Sequence, residues 1–166
     1  MKRLIMTILA SAALCFAAEA QSDLKKVYDE SIDPMTQIDK AIAKADKDGK
    51  FVICQVGSNW CRWCLMFADF ISKDSEITEL IDKNFEYIHV NFNPRERNDE
   101  AKMKKAETML ARLGNPGRFG YPVFVVLDGD GKVIHIQDSS LLEEGNGYNK
   151  SKVMRFFSNW TPAAVK

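Results

Sequence analysis

Phe51-Val52-Ile53-Cys54-Gln55-Val56-Gly57-Ser58-Asn59-Trp60-Cys61-Arg62-Trp63-Cys64-Leu65-Met66-Phe67-Ala68-Asp69-Phe70-Ile71 is the stretch that decides the fold. Its apolar start, residues 51–56, reads as a buried strand, Gly57-Ser58-Asn59 as a turn, and residues 65–71 as a helix already under way. Cys61 and Cys64 therefore fall in a first helical turn. There the unpaired backbone N–H groups and the positive end of the helix dipole favour an anion, and a thiolate is the anion available. The Cys-x-x-Cys spacing points to redox or metal chemistry, and the strand-turn-helix context makes Cys61 a candidate nucleophile.

Reading outward, Asp33-Pro34 is a helix start: a good N-cap followed by the residue best tolerated at the first helical position. Met35, Ile38, Ala41, Ile42 and Ala45 then recur at helical spacing as far as Asp48-Gly49, whose glycine ends the helix. After the cysteine helix, Asp74-Ser75-Glu76 opens another, closed by Asn84. Residues 85–92 read as a strand, residues 98–113 as a charged helix, and Gly114-Asn115-Pro116-Gly117 stops it. The charges of that helix read as a solvated face. Residues 122–127 and 132–136, joined by Asp128-Gly129-Asp130-Gly131, predict an antiparallel hairpin. Residues 138–149 read as a loop and residues 151–160 as a last amphipathic helix. The order implies parallel pairing through crossovers, followed by one antiparallel hairpin.

The N-terminus has the form of a secretory signal: Lys2 and Arg3, an uncharged run over residues 4–16, and Ala18-Glu19-Ala20 with small residues at the cleavage positions. The run is shorter than the ~20 residues a membrane-spanning helix needs. Cys15 belongs to the discarded peptide, because Leu14 stands where a lipoprotein signal has a small residue. Cleavage after Ala20 leaves a single-domain length with enough chain for a real core. The division expected is 1–20 signal peptide, 21–34 polar N-terminal extension and 35–166 one α/β domain. Basic and acidic residues each number 23, so composition gives no support for nucleic acid or an anionic membrane surface as partner. Once Cys15 is removed, Cys54, Cys61 and Cys64 remain, too few for a disulfide-stapled scaffold and enough for one working disulfide.

Over residues 35–160 the chain resembles the thioredoxin superfamily. The resemblance is carried by the strand before Trp60, the Trp-Cys-x-x-Cys motif and the Tyr121-Pro122 pair that opens a strand ahead of a Gly-containing hairpin. It implies a thioredoxin-like α/β fold, a central mixed sheet with helices on both faces. Within the superfamily the chain is most similar to exported bacterial disulfide reductases and isomerases, which implies a periplasmic or extracellular thiol-disulfide oxidoreductase. Cys61 is then the attacking thiol and Cys64, one turn deeper, the resolving one. The resemblance makes Pro122 a cis proline beside the thiols and leaves the backbone of Tyr121 free for an incoming peptide. Trp60, Arg62 and Trp63 complete the expected substrate groove. Arg62 either favours the Cys61 thiolate or is a plain surface residue, and Trp63 either frames the thiols or packs. The implied partners are cysteine-containing protein substrates and a membrane electron-transfer protein with its own reactive cysteine pair. No organic cofactor and no metal is required.

The chain departs from the family pattern in two places. Gln55 stands where many thioredoxins bury a carboxylate, and a glutamine cannot act as a base. Asp69 stands where they have a helix-kinking proline, which implies a straighter helix. His89 either moves protons in place of the missing acid or is a satisfied core histidine; Cys54 reads as a small buried hydrophobe and His135 as a surface residue. The alternative from another class is a non-catalytic thioredoxin-fold binding module or metal carrier. A closed zinc site needs two ligands beyond Cys61 and Cys64, and Cys54, His89, His135 and carboxylates offer no second paired spacing.

Overall fold

Asp33 and Pro34 begin the first helix as the sequence predicts. In the computed structural model, which describes residues 24–96 and 98–165, Asp33 Oδ1 accepts from Thr36 N at 3.1 Å and Pro34 takes the first position of α1 (Pro34–Asp48). Gly49 ends α1 at φ 65°, a left-handed conformation that costs glycine little. The expected signal peptide, with Cys15, lies outside the described residues. The chain continues through β1 (Phe51–Gly57), α2 (Arg62–Lys73), α3 (Ser75–Asn84), β2 (Phe85–Asn91) and α4 (Glu100–Arg112). It ends with β3 (Val123–Leu127), β4 (Val133–Asp138), the two-residue strands β5 (Glu143–Glu144) and β6 (Gly147–Tyr148), α5 (Lys150–Asn159) and the short α6 (Pro162–Val165).

The main sheet has the order β2-β1-β3-β4. β1 and β2 pair in parallel, with Gln55 opposite His89, while β3 runs antiparallel to both β1 and β4. The expectation of parallel pairing through crossovers thus holds for β1 and β2 only. After α4 the chain returns beside β1 in the opposite direction. Hydrophobic pattern cannot reveal this, because β3 is buried along its whole length and reads the same either way.

Helices cover both faces, as the mixed-sheet expectation requires. Val52, Cys54 and Val56 of β1 pack with Ile38, Ala41 and Ala45 of α1 and Met109 of α4. Ile53 faces the other way, into a cluster with Phe67, Ile71, Ile77, Phe124, Phe156 and Phe157 from α2, α3, β3 and α5. This alternation follows from the two-residue period of a strand. It sends Cys54 to one side and Gln55 to the other.

Residues 138–149 are more ordered than the expected loop. A 3-10 turn, Ser139–Leu142, leads into the β5–β6 ladder, and Tyr148 reaches back to the cysteine helix. Its hydroxyl donates to the Trp63 carbonyl at 3.0 Å, and its ring meets Phe67 edge-on at 4.8 Å. No apolar periodicity in this stretch announces the contact, because it rests on one aromatic residue. α2 itself is uninterrupted through Asp69, which accepts from Lys73 Nζ at 2.7 Å.

Candidate active site

Cys61 is the N-cap of α2, one residue outside the helical turn in which the sequence reading put it. In this position its Sγ takes the part of a capping oxygen, accepting from Cys64 N at 3.2 Å. Cys61 and Cys64 are joined as a disulfide with Cα atoms 5.2 Å apart. Their environments differ: Cys61 is half-buried, whereas Cys64 is 0% exposed. A nucleophile from outside therefore meets Cys61 first. When the bond is open, the helix N-terminus and the Cys64 N–H favour the thiolate of Cys61 over its thiol.

Tyr121 and Pro122 close the site from the sheet side. Their peptide bond is cis, Pro122 is buried, and the Tyr121 carbonyl oxygen lies 3.5 Å from Cys61 Sγ. The Tyr121 ring packs on Phe92 at 5.2 Å. Trp60 is 63% exposed beside Cys61, with the Arg95 guanidinium 5.0 Å from its ring. Arg62 occupies the first position of α2 and is exposed. Trp63 is half-buried and meets Tyr148 edge-on at 5.6 Å, so its ring packs against the β5–β6 ladder.

Behind Cys64 lies a polar cluster that sequence reasoning found only in part. Gln55 is 0% exposed and fully hydrogen-bonded. Its Nε2 donates to the Cys64 carbonyl at 2.9 Å and to Tyr28 Oη at 2.8 Å, while its Oε1 accepts from the Tyr87 hydroxyl at 2.6 Å. Burial pushes the phenols of both tyrosines above their ordinary pKa, so both stay protonated. Tyr28 belongs to the expected polar extension, yet it is buried against Cys64 and Leu65 with Leu24 and Val27 beside it. Asn59 holds this segment in place. Its Oδ1 accepts from Val27 N at 3.2 Å and Tyr28 N at 3.1 Å, and its Nδ2 donates to the Tyr28 carbonyl at 2.8 Å. The signal was faint: Leu24, Val27 and Tyr28 stand at helical spacing in a segment that is neither helix nor strand.

His89 neighbours this cluster on β2. Its ring meets Tyr28 and Tyr87 edge-on, each at 5.4 Å, and burial lowers its pKa to about 4. Its Nε2 is buried without a hydrogen-bond partner, so the expectation of a satisfied core histidine is met in its packing and not in its hydrogen bonds. Cys54 is buried on the far face of the sheet, where desolvation pushes its thiol up to about 12. His135 departs from its surface reading: it is half-buried and stacks on Trp160 at 4.1 Å. Among the described residues no three His, Cys, Asp or Glu side chains gather into a cluster that could hold a metal ion, and no helix is long and apolar enough to cross a membrane.

Known proteins share part of this sequence and its fold. The disulfide bond reductase DsbH of Chlamydia pneumoniae is 28% identical over 76 residues, which are 46% of this chain and 44% of that protein. The chain thus matches less than half the length of that relative. Among solved structures, the disulphide isomerase from Xylella fastidiosa Temecula1 is 29% identical with a TM-score of 0.64, covering 82% of this chain and 97% of that one. A structure described as DsbH oxidoreductase, 21% identical, superposes with a TM-score of 0.52 over 72% of this chain and 78% of its own, which shows the shared fold. The family model described as "Thioredox_DsbH: Protein of unknown function, DUF255" matches residues 15–156. With a thioredoxin-like fold and its Cys-x-x-Cys pair at the start of α2, the chain belongs to the Thioredox_DsbH (DUF255) family of the thioredoxin superfamily.

Proposed function

We propose that this protein is an exported thiol-disulfide oxidoreductase that reduces or isomerises protein disulfides, with Cys61 attacking and Cys64 resolving. The observation that carries the reading is the asymmetry of the Cys61–Cys64 pair: one sulfur is reachable at a helix N-terminus, and the other is sealed beneath it. In the reducing direction the Cys61 thiolate attacks one sulfur of a substrate disulfide, and the second substrate sulfur leaves with the electron pair and takes up a proton. Cys64 then attacks Cys61 Sγ, the Cys61–substrate bond breaks, and the first substrate sulfur leaves in the same way. The substrate disulfide is reduced to two thiols as the pair is oxidised. In isomerisation a substrate thiol attacks the mixed disulfide before Cys64 does.

The half-buried Tyr121 at its cis bond to Pro122, with the exposed ring of Trp60, forms the groove for an extended peptide. Two relatives described as a disulfide bond reductase and a disulphide isomerase support the direction. Cleavage after Ala20 delivers the domain to the periplasm or the exterior. There a membrane electron-transfer protein with a reactive cysteine pair returns Cys61 and Cys64 to thiols. Arg62 opposes this direction without reversing it. A thiol pKa lowered by one unit is worth about 30 mV in the two-electron couple, small beside the gap of about 150 mV between thioredoxin and the strongest oxidase.

The test offers reduced protein to insulin and to a scrambled disulfide protein, and oxidised protein to a reduced unfolded substrate. Reduction of insulin or rescue of the scrambled protein is the expected result. Efficient oxidation of the unfolded substrate with neither of those activities would make the protein an oxidase, and no exchange in any arm would leave only a thioredoxin-fold binding module.

A further inference from the structure

Tyr28 and Cys64 share one patch of backbone. A Cβ built on Gly57 would run into Cys64 Sγ and stand 2.7 Å from Tyr28 Oη, so both atoms face the one side of that residue that only a glycine leaves open. The chemistry of the neighbours fixes the direction of the hydrogen bonds here. The Cys64 carbonyl only accepts, so Gln55 must turn its Nε2 towards it, and the same nitrogen donates to Tyr28 Oη. The Tyr87 hydroxyl, donating to Oε1, locks that orientation. Tyr28 Oη is thereby engaged as an acceptor, and its own O–H is left to donate. Among the described residues it donates to no oxygen or nitrogen. The sulfur that faces the same glycine is a poor acceptor in a disulfide and a strong one as a thiolate.

Building on the exchange reaction set out above, we propose that Tyr28 is the hydrogen-bond donor to the resolving sulfur: when the disulfide opens, its O–H turns to Cys64 Sγ and stabilises the thiolate that expels the substrate. The Cys64 thiol gives up its proton as the departing substrate sulfur takes one up, so the step is neutral overall, and Tyr28 keeps its own. Gln55 acts through Tyr28 by holding its oxygen. A buried base is then not needed, because the hydrogen bond to the thiolate makes the Cys64 thiol a stronger acid.

The ionisable groups around Tyr28 leave this reading clean between pH 5 and 9. Tyr87 and Tyr148 are held protonated by burial, and His89, lowered to about 4, is neutral. Lys25, Asp69 and Asp82 line a pocket with Tyr87 and His89, and Gly57 is not part of its lining.

Reduced protein is mixed with an aromatic disulfide that releases a coloured thiol twice, first when Cys61 attacks and again when Cys64 resolves. Between pH 5 and 9 the second phase reports the Cys64 thiolate. In Tyr28→Phe we expect the first phase to keep its rate, the second to slow about tenfold at pH 7, and its midpoint to rise by about one pH unit. Replacing Tyr28 with 3-fluorotyrosine keeps the shape and makes the phenol a better donor, so the second phase speeds up and its midpoint falls; this decides the matter if Tyr28→Phe does not fold. A second phase unchanged in rate and midpoint in either folded variant overturns the role of Tyr28 and leaves the exchange reading standing. A wild-type protein that releases no second thiol overturns both.

Discussion

At Gln55 the departure from a buried acid is legible in the sequence, but its consequence is not. The residue type says that no base stands there; only the structure shows that the Cys64 carbonyl faces its nitrogen. A carboxylate in its place would set oxygen against the Cys64 carbonyl oxygen and lose that bond, and it would turn the contact with Tyr28 round, so that the phenol donates to it. Gln55→Glu is therefore expected to cost about 1–3 kcal/mol in urea unfolding and to add an ionisation to the pH profile of turnover. Identical pH profiles for the two proteins would mean that the resolving step is insensitive to this position. His89 carries a second pH dependence. The unfolded chain binds a proton near the ordinary histidine pKa of 6.5, and the folded one only near 4, so between those values the unfolded state holds more protons and stability falls as the pH drops. The loss is complete below about pH 4 and amounts to roughly 3 kcal/mol. In His89→Phe, which also removes an unpartnered buried nitrogen, this acid slope should flatten; an unchanged slope between pH 6.5 and 4 would assign it to other groups.

Among the elements, those with caps and periodicity were readable. Asp33 and Pro34 mark α1, and Asp74 caps α3 by accepting from Glu76 N and Ile77 N, because capping needs only a side chain and the backbone a few residues on. The strand-turn-helix at Cys61 was readable for the same reason, to within one residue. The segment over residues 24–33 was not. It is held by Asn59, far away in the sequence, and by one tyrosine, and neither leaves a local pattern. Asn59→Ala removes three hydrogen bonds to that segment's backbone. We expect a loss of about 1–3 kcal/mol and faster amide exchange at Val27 and Tyr28, with α1 and β1 still protected. Unchanged exchange at Val27 and Tyr28 would mean that Tyr28 is anchored by its ring alone. The direction of β3 was hidden too, since a strand buried on both faces has the same pattern when reversed.

At the scale of the whole molecule, the resemblance supplied both the layers, a mixed sheet with helices on both faces, and the place of Pro122 beside Cys61 before any geometry did. Spacing alone could not bring Tyr121 and Cys61 together, because their contact depends on the start of β3 lying beside the end of β1. The proposed export has a direct check: mass spectrometry of protein from the expressing cells should find a chain beginning at Gln21, and an intact N-terminus retained in the membrane fraction would contradict cleavage after Ala20. The central claim is the division of labour between an accessible Cys61 and a sealed Cys64. The measurement that tests it most directly is trapping of protein partners by the two single-serine variants under non-reducing electrophoresis. Cys64→Ser should attack without release and accumulate mixed disulfides that a reductant dissolves, while Cys61→Ser should trap nothing and have no turnover. Partners trapped by Cys61→Ser and not by Cys64→Ser would contradict the account and make the buried sulfur the nucleophile.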